Sequence, residues 1–244
     1  MTKSFETMFL FFCDVLKKKL LPVKTEYSKV RIGDSGDGGY VCLDLDDYDC
    51  LYSLGSDDNI KFEKKFYEKY NKQCFVYDHT IDCITNKPEY INFFKKGVGP
   101  QTTSELDTFD NLIIQNSHEN NKNMLAQIDI EGYEWFILKN TKLIKNFSQI
   151  IVEFHIPSNF LQLAEYILET LDFMNENFYI VHIHGNNCPI SPWLDINCPR
   201  VFEVTYVRKD LVKEINPECN SYPIEGLDTP NDVSKVDMTL NWWL

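Results

Sequence analysis

Apolar positions along the chain switch between a helical and a strand period. Between residues 4 and 20, Phe5, Met8, Phe9, Phe12, Val15 and Leu16 recur at helical spacing, which predicts an amphipathic helix. Lys17, Lys18 and Lys19 crowd its C-terminal end, where the helix dipole favours cations. Val30 and Ile32 lead into a turn containing Gly36, Gly38 and Gly39, and Tyr40, Val41 and Leu43 lead out of it, the pattern of a β-hairpin. From Cys50 onward, short apolar runs take turns with helical patterns. Leu51 to Leu54 predict a strand and Gly55 and Ser56 a turn. Phe62, Phe66 and Tyr70 mark the buried face of a helix that Asp57 or Asp58 caps. Residues 73–80 predict a strand ending at Asp78, and residues 91–98 another ending at Gly97 and Gly99. Residues 104–116 read as a helix capped by Ser104.

The apolar run Met124 to Ile128 predicts a buried strand. Asp129, Glu131, Gly132 and Glu134 follow at once, and Trp135 to Leu138 restart a helical pattern. This is a βα junction through an acidic turn. Ligands of open α/β sheets gather at the carboxyl ends of strands, so Asp129 and Glu131 are candidate site residues. The alternative is that both acids cap the following helix. Residues 146–155 predict a strand with Glu153 and His155 at its end, and Ser158 caps a helix with Phe160, Ala164, Ile167, Leu168, Leu171 and Met174 on one face. Residues 178–184 and 201–207 alternate as strands. The link between them, 185–200, holds three prolines, Cys188, Trp193 and Cys198, and is too short for a crossover helix. These strands are therefore expected to be antiparallel neighbours. The fold expected is α/β: a mostly parallel seven-stranded sheet with an antiparallel last strand and helices on both faces. Residues 1–28 form an N-terminal helix packed on the domain, 29–208 the domain, and 209–244 an irregular tail ending in NWWL.

Bulk composition narrows the partners. The formal net charge of −13 argues against a nucleic-acid partner, which needs clustered Lys and Arg. The eight cysteines include no CxxC pair, which points away from a zinc knuckle and toward free thiols in a reducing, cytoplasmic setting. The apolar patch MFLFFC at residues 8–13 is too short for a secretory signal, and no run has the length of a spanning helix.

The candidate chemistry sits at strand ends. Gly55 and Asp78 stand 23 residues apart, a glycine turn after one strand and an acid at the end of the next. That is the geometry for holding a ribose through its two hydroxyls. His155 is the best base by residue type, with His182 and His184 as alternates. Asp129, Glu153 and His155 are a possible divalent-metal set, with a metal-free base preferred. The DxD pattern Asp44 to Asp46 suggests a nucleotide-sugar metal site or, more simply, a solvated loop.

The pieces ELDTF at 105–109, QIDIEGYEWFIL at 127–138 and IIVEFH at 150–155, with GDGGYV at 36–41, YSLGS at 52–56 and HIHGNN at 182–187, resemble the FkbM-like branch of S-adenosylmethionine-dependent methyltransferases. The resemblance covers roughly residues 29–207. It implies a Rossmann-like methyltransferase fold, with S-adenosylmethionine held by Gly38, Gly39, Tyr40, Gly55, Ser56, Asp78, His79 and Asp129. It implies O-methylation of a small hydroxylated acceptor, a sugar or glycan. His155, Asp129 and Glu131 would do the chemistry, with Glu153, His184, Asn186 and Asn187 on the acceptor. Residues 55–59 read GSDDN where a second glycine is common in that family. A non-catalytic binding module on the same fold, or a nucleotide-sugar glycosyltransferase, are the other readings.

Overall fold

The computed structural model describes residues 3–188, 199–218 and 221–240, with side chains from residue 7 onward. The expectations for Phe5, Trp193, Cys198 and the terminal NWWL fall outside the described side chains. In chain order the elements are α1 (Lys3–Lys19), β1 (Val23–Thr25), β2 (Lys29–Gly33), β3 (Gly39–Leu43), β4 (Leu51–Leu54), α2 (Lys61–Tyr70) and β5 (Cys74–Tyr77). Then come β6 (Ile91–Phe94), β7 (Gly97–Val98), β8 (Leu106–Asp107), α3 (Phe109–Gln115), β9 (Met124–Ile128) and α4 (Glu134–Leu138). The last are β10 (Phe147–His155), α5 (Phe160–Asn177), β11 (Phe178–Gly185), β12 (Val201–Arg208) and β13 (Ile215–Pro217).

A seven-stranded sheet in the order β11-β12-β10-β9-β4-β5-β6 organises the molecule. Strands β6, β5, β4, β9 and β10 are parallel neighbours. Strand β12 runs antiparallel to both β10 and β11. Every residue of β4 and β9 is buried, as expected of strands covered on both faces. From β4 the chain winds outward to β5 and β6, then returns to place β9 on the other side of β4. The strand order therefore reverses between β4 and β9, the position where open sheets leave a crevice at their carboxyl ends.

One apolar layer holds Phe12 and Leu16 of α1 against Phe160, Leu171 and Met174 of α5. The Phe9 and Phe160 rings meet edge to face at 5.2 Å. Met8 is an exception to the predicted face: it is 48% exposed, so the buried stripe of α1 is narrower than its apolar positions suggested. The other layer holds α2 and the β2–β3 hairpin against Leu51, Val76, Leu125 and Ile151. The hairpin is fastened by the Gln149 side chain, which accepts from Leu43 N and donates to Leu43 O, both at 2.8 Å. An amide side chain thus pairs with a peptide group much as a neighbouring strand would. Among the described residues no helix is long and apolar enough to cross a membrane.

Several local expectations are corrected. Residues 91–98 are two strands: β6 joins the main sheet, and β7 leaves it to pair with β8. Helix α3 starts at Phe109 with Thr108 as its cap, because residues 106–107 are committed to that pairing; Ser104 is outside the helix. Asp58 accepts bonds from Thr85, and neither Asp57 nor Asp58 caps α2. The residue at the start of α5 is Asn159, with no side-chain cap bond, in place of Ser158. The segment after β12 includes β13, which pairs with β1, and then crosses the end of the sheet near β11.

Candidate functional site

Four parallel strands deliver acids and a histidine to one end of the sheet. Gly55 follows β4, Asp78 follows β5 and Asp129 follows β9, while His155 is the last residue of β10. At the switch point the first and third of these touch. Gly55 adopts φ +78°, and a Cβ there would lie 1.7 Å from the Asp129 carbonyl oxygen. Only glycine satisfies both the left-handed backbone and that approach.

A cavity of about 520 Å³ opens at this point, lined by Gly38, Tyr40, Gly55, Ser56, Asp78, His79 and Asp129 among others. Its volume is in the range of small-molecule pockets. Asp78 is 4% exposed. One carboxylate oxygen accepts from the Ser56 and Asp57 amides at 3.2 and 3.0 Å, the other from Thr80 N and Oγ1 at 2.7 and 2.6 Å. Burial works against its charge, but these four donors outweigh it and hold the carboxyl below its usual range. Asp78 therefore shapes the glycine turn directly. Glu105 also lines this cavity. Gly39 is absent from the lining: a Cβ there would meet Asp34 O at 2.1 Å, so it serves the hairpin turn. At the floor, Ser53 Oγ donates to Gln127 Oε1 at 2.8 Å. Beside it lies buried Glu63, whose carboxyl burial pushes up to about 7.

A second cavity, of about 620 Å³, adjoins the first and shares Asp37, Asp129 and Glu131 with it. Its other walls include Glu153, His155, Asn186, Arg200, Asn231 and Asp232. Glu153 is held by Tyr40 OH at 3.3 Å and Asn186 Nδ2 at 2.8 Å. Burial first, then the charges of Asp129 and Glu203, raise its carboxyl well above the ordinary range.

The turn between β9 and α4 is built around Glu134, which is fully buried. It accepts from Ile130 N at 3.0 Å and from Gly132 N at 3.1 and 3.0 Å. Glu134, not Asp129 or Glu131, therefore satisfies the amides of this turn, and those two acids are left facing the cavities. Glu131 itself sits in the left-handed region at φ 56°, an unfavourable state for this residue type that the Glu134 bonds enforce. Trp135 locks α4 to β10 by donating from Nε1 to His155 O at 2.7 Å and stacking on Phe154 at 4.2 Å.

His155 is the meeting point. Its Nδ1 lies 3.2 Å from Glu134 Oε1; its Nε2 lies 3.4 Å from Glu131 Oε2 and 4.0 Å from Asp129 Oδ1. Burial disfavours a charged imidazole here, but the Glu134 hydrogen bond and the surrounding carboxylates outweigh it and raise His155 to about 9. An imidazole raised this far is largely charged near neutrality, because several carboxylates face the ring. Burial, opposed by His155 and reinforced by Glu134, Glu131 and Asp37, raises Asp129 to about 7.

His184 and Asn187, expected on the acceptor, do not line either cavity. His184 is buried between Glu203 at 3.3 Å and Asp237 at 3.1 Å. Beside it His182 pairs with Asp228 at 2.8 Å. Asn187 exchanges bonds with the Asp232 backbone at 2.8 and 3.1 Å. All three fasten residues 221–240 to β11 and its end, and that segment contributes Asn231 and Asp232 to the second cavity. The Asp44–Asp46 run lines neither cavity, and Asp44 is engaged by Lys69 at 2.9 Å and Tyr70 at 3.1 Å. The described cysteines, Cys13, Cys42, Cys50, Cys74, Cys83 and Cys188, are free thiols.

Compared with known proteins, the sequence matches no family model and no curated protein.

Proposed function

We propose that the protein is an S-adenosylmethionine-dependent O-methyltransferase of the FkbM-like kind, with a Rossmann-like class I fold, acting on a small hydroxylated acceptor such as a sugar. The observation that carries this reading is the pair of adjoining cavities at the switch point, with Asp129 on the wall between them. A transfer enzyme needs two substrates held end to end, with the reacting atoms at their junction.

The first cavity would hold the donor. The Ser56 and Asp57 amides and the Asp78 carboxylate frame its nucleoside end, and Gly55 keeps the β4 turn close to Asp129. S-adenosylmethionine held there supplies a methyl group on a sulfonium. Asp129 and Glu131 place carboxylates where a cationic centre is stabilised. The acceptor occupies the second cavity with its hydroxyl toward Asp129 and His155. The Asp129 carboxylate would take the proton of the acceptor hydroxyl that receives the methyl group. Glu134 fixes the orientation of His155, and Tyr40 and Asn186 fix Glu153.

Titration calorimetry with S-adenosylmethionine, its demethylated product and a nucleotide sugar tests the assignment. Binding of the first two in the micromolar range, without the third, is the expected result. Preference for the nucleotide sugar would overturn it. Tight binding of the sulfonium donor with no label transferred to any hydroxylated acceptor would move the protein to the non-catalytic reading.

A further inference from the structure

We propose that the junction between the two cavities is a divalent-cation site, with His155 Nε2, Asp129 Oδ1 and Glu131 Oε2 as protein ligands. For its place in the reaction this rests on the methyltransferase reading; its existence does not. Three groups converge without completing any bond of their own. His155 Nε2 stands 3.4 Å from Glu131 Oε2 and 4.0 Å from Asp129 Oδ1, which are ion-pair separations with no hydrogen bond between them. In a six-coordinate site with bonds of about 2.1 Å, neighbouring ligand atoms stand about 3 Å apart. Shortening of the two His155 separations by a fraction of an ångström to about 1 Å reaches that spacing. The exposed Glu131 side chain can supply most of the movement.

Glu134 has the place of a supporting carboxylate. Its two oxygens are occupied by peptide amides, so it is poorly available as a ligand, yet it accepts from His155 Nδ1. An imidazole bonded through Nδ1 to a carboxylate presents Nε2 outward in the tautomer that binds metals, the usual support of a histidine ligand. Glu134, Asp129 and His155 each offer an atom within 4.8 Å of the others, a compactness among three ionisable groups found at no other described position.

Two further observations point the same way. Asp129 Oδ1 is a buried oxygen with no hydrogen-bond donor. Asn231, 9% exposed on the same cavity, donates from Nδ2 to Glu203 at 2.9 Å, which leaves its Oδ1 buried and without a donor as well. Asn231 also lies against Asp37, 3.5 Å from Nδ2 to Oδ1, and Asp37 is on the shared wall with Asp129. Oxygen atoms deprived of both solvent and donors are costly unless a ligand satisfies them. One imidazole and two carboxylates, with open positions toward a cavity, suit Mn²⁺ or a similar transition ion better than Mg²⁺, which prefers oxygen alone. The open positions, on the side of the second cavity, would take an acceptor oxygen.

The test is Mn²⁺ titration of the full chain without any methyl donor, followed by calorimetry and by the loss of the free-ion electron paramagnetic resonance signal. One saturable site is expected. Asp129→Asn and His155→Ala should each weaken it about tenfold or more, and Glu134→Gln about tenfold through the orientation of the imidazole. Glu131→Gln alters an exposed side chain and keeps the test valid should a buried variant misfold. Asp46→Asn, in the acidic surface run, should leave the affinity unchanged. Absence of saturable binding, or binding that survives both Asp129→Asn and Glu131→Gln, overturns the site. Loss of donor binding with Mn²⁺ binding intact would instead reject the methyltransferase reading and leave the cation site standing.

Discussion

Glu134 Oε1 and His155 Nδ1 meet at 3.2 Å, joining the first turn of one helix to the end of the neighbouring strand. The same carboxylate caps the Ile130 and Gly132 amides, so one buried side chain fixes both the acidic turn and the imidazole. Glu134→Ala should therefore cost about 2–4 kcal/mol of stability, since each buried donor left unpaired costs about 1–3 kcal/mol. Urea unfolding measures this. A change under about 0.5 kcal/mol, the range of ordinary surface substitutions, would mean that water replaces the carboxylate there.

His155 lines the second cavity and is absent from the walls of the first. His155→Ala should lower the turnover of methyl transfer by about 10²-fold, the low end of the span for loss of a proton-accepting group, because Asp129, which takes the proton, keeps its place but loses the imidazole facing it at 4.0 Å. Affinity for S-adenosylmethionine should stay within about twofold, well under the tenfold that 1.4 kcal/mol represents. Single-turnover kinetics with saturating donor separates the two quantities. Full turnover in the variant would remove His155 from the reacting centre.

Asp78 presents the opposite case. Asp78→Ala should weaken donor binding by about 1.5–3 kcal/mol, the worth of a hydrogen bond to a charged group. It also frees the Ser56 and Asp57 amides, so Asp78→Asn, which can still accept from them, should lose less. Calorimetry on both variants gives the comparison. Equal affinity in Asp78→Ala and the parent would remove this residue from the ribose.

The pair of histidines on β11 predicts a pH dependence of stability. Burial opposes a charge on His184, but Glu203 and Asp237, with Asp228 beyond, outweigh it and raise the imidazole to about 10. In the unfolded chain a histidine titrates near 6.5. A folded value above the unfolded one means that the charged pair stabilises fully below about pH 6.5 and that this contribution fades as pH rises toward 10. His182, lowered mainly by its complete burial, is the neutral neighbour. The urea midpoint should thus fall between pH 6 and pH 9.5 more steeply in the parent than in His184→Gln. Parallel pH profiles would show that His184 is uncharged in the folded protein.

Much of the frame was legible because strands buried on both faces leave continuous apolar runs, as at Leu51 to Leu54 and Met124 to Ile128. Asp78, Asp129 and His155 were legible because strand ends fall where such runs stop. The helix starts were harder: Ser104 has the right chemistry for a cap, but the β7–β8 pairing claims the residues after it. Glu134 carried a signal, an acid in the first turn of a helix, which fits a residue that accepts amides upstream of itself. His184 was expected on the acceptor from the resemblance at residues 182–187, which does not encode that Asp237 of the last segment covers it. Asn231 and Asp232 had no signal at all. They belong to a segment without period, positioned by single pairs such as His182–Asp228, and no spacing along the chain encodes those pairs.

That last segment sets an order of events during synthesis. Once β12 has left the ribosome, all seven strands of the central sheet exist, and so does the first cavity. The second cavity still lacks Asn231 and Asp232, and His182 and His184 still lack Asp228 and Asp237. A nascent chain halted after Arg208 would consequently contain every residue that lines the first cavity but not Asn231 and Asp232 of the second, and His182 and His184 would lack Asp228 and Asp237. The part of the second cavity's wall formed by Asn231 and Asp232 is thus synthesised last, after every strand of the central sheet.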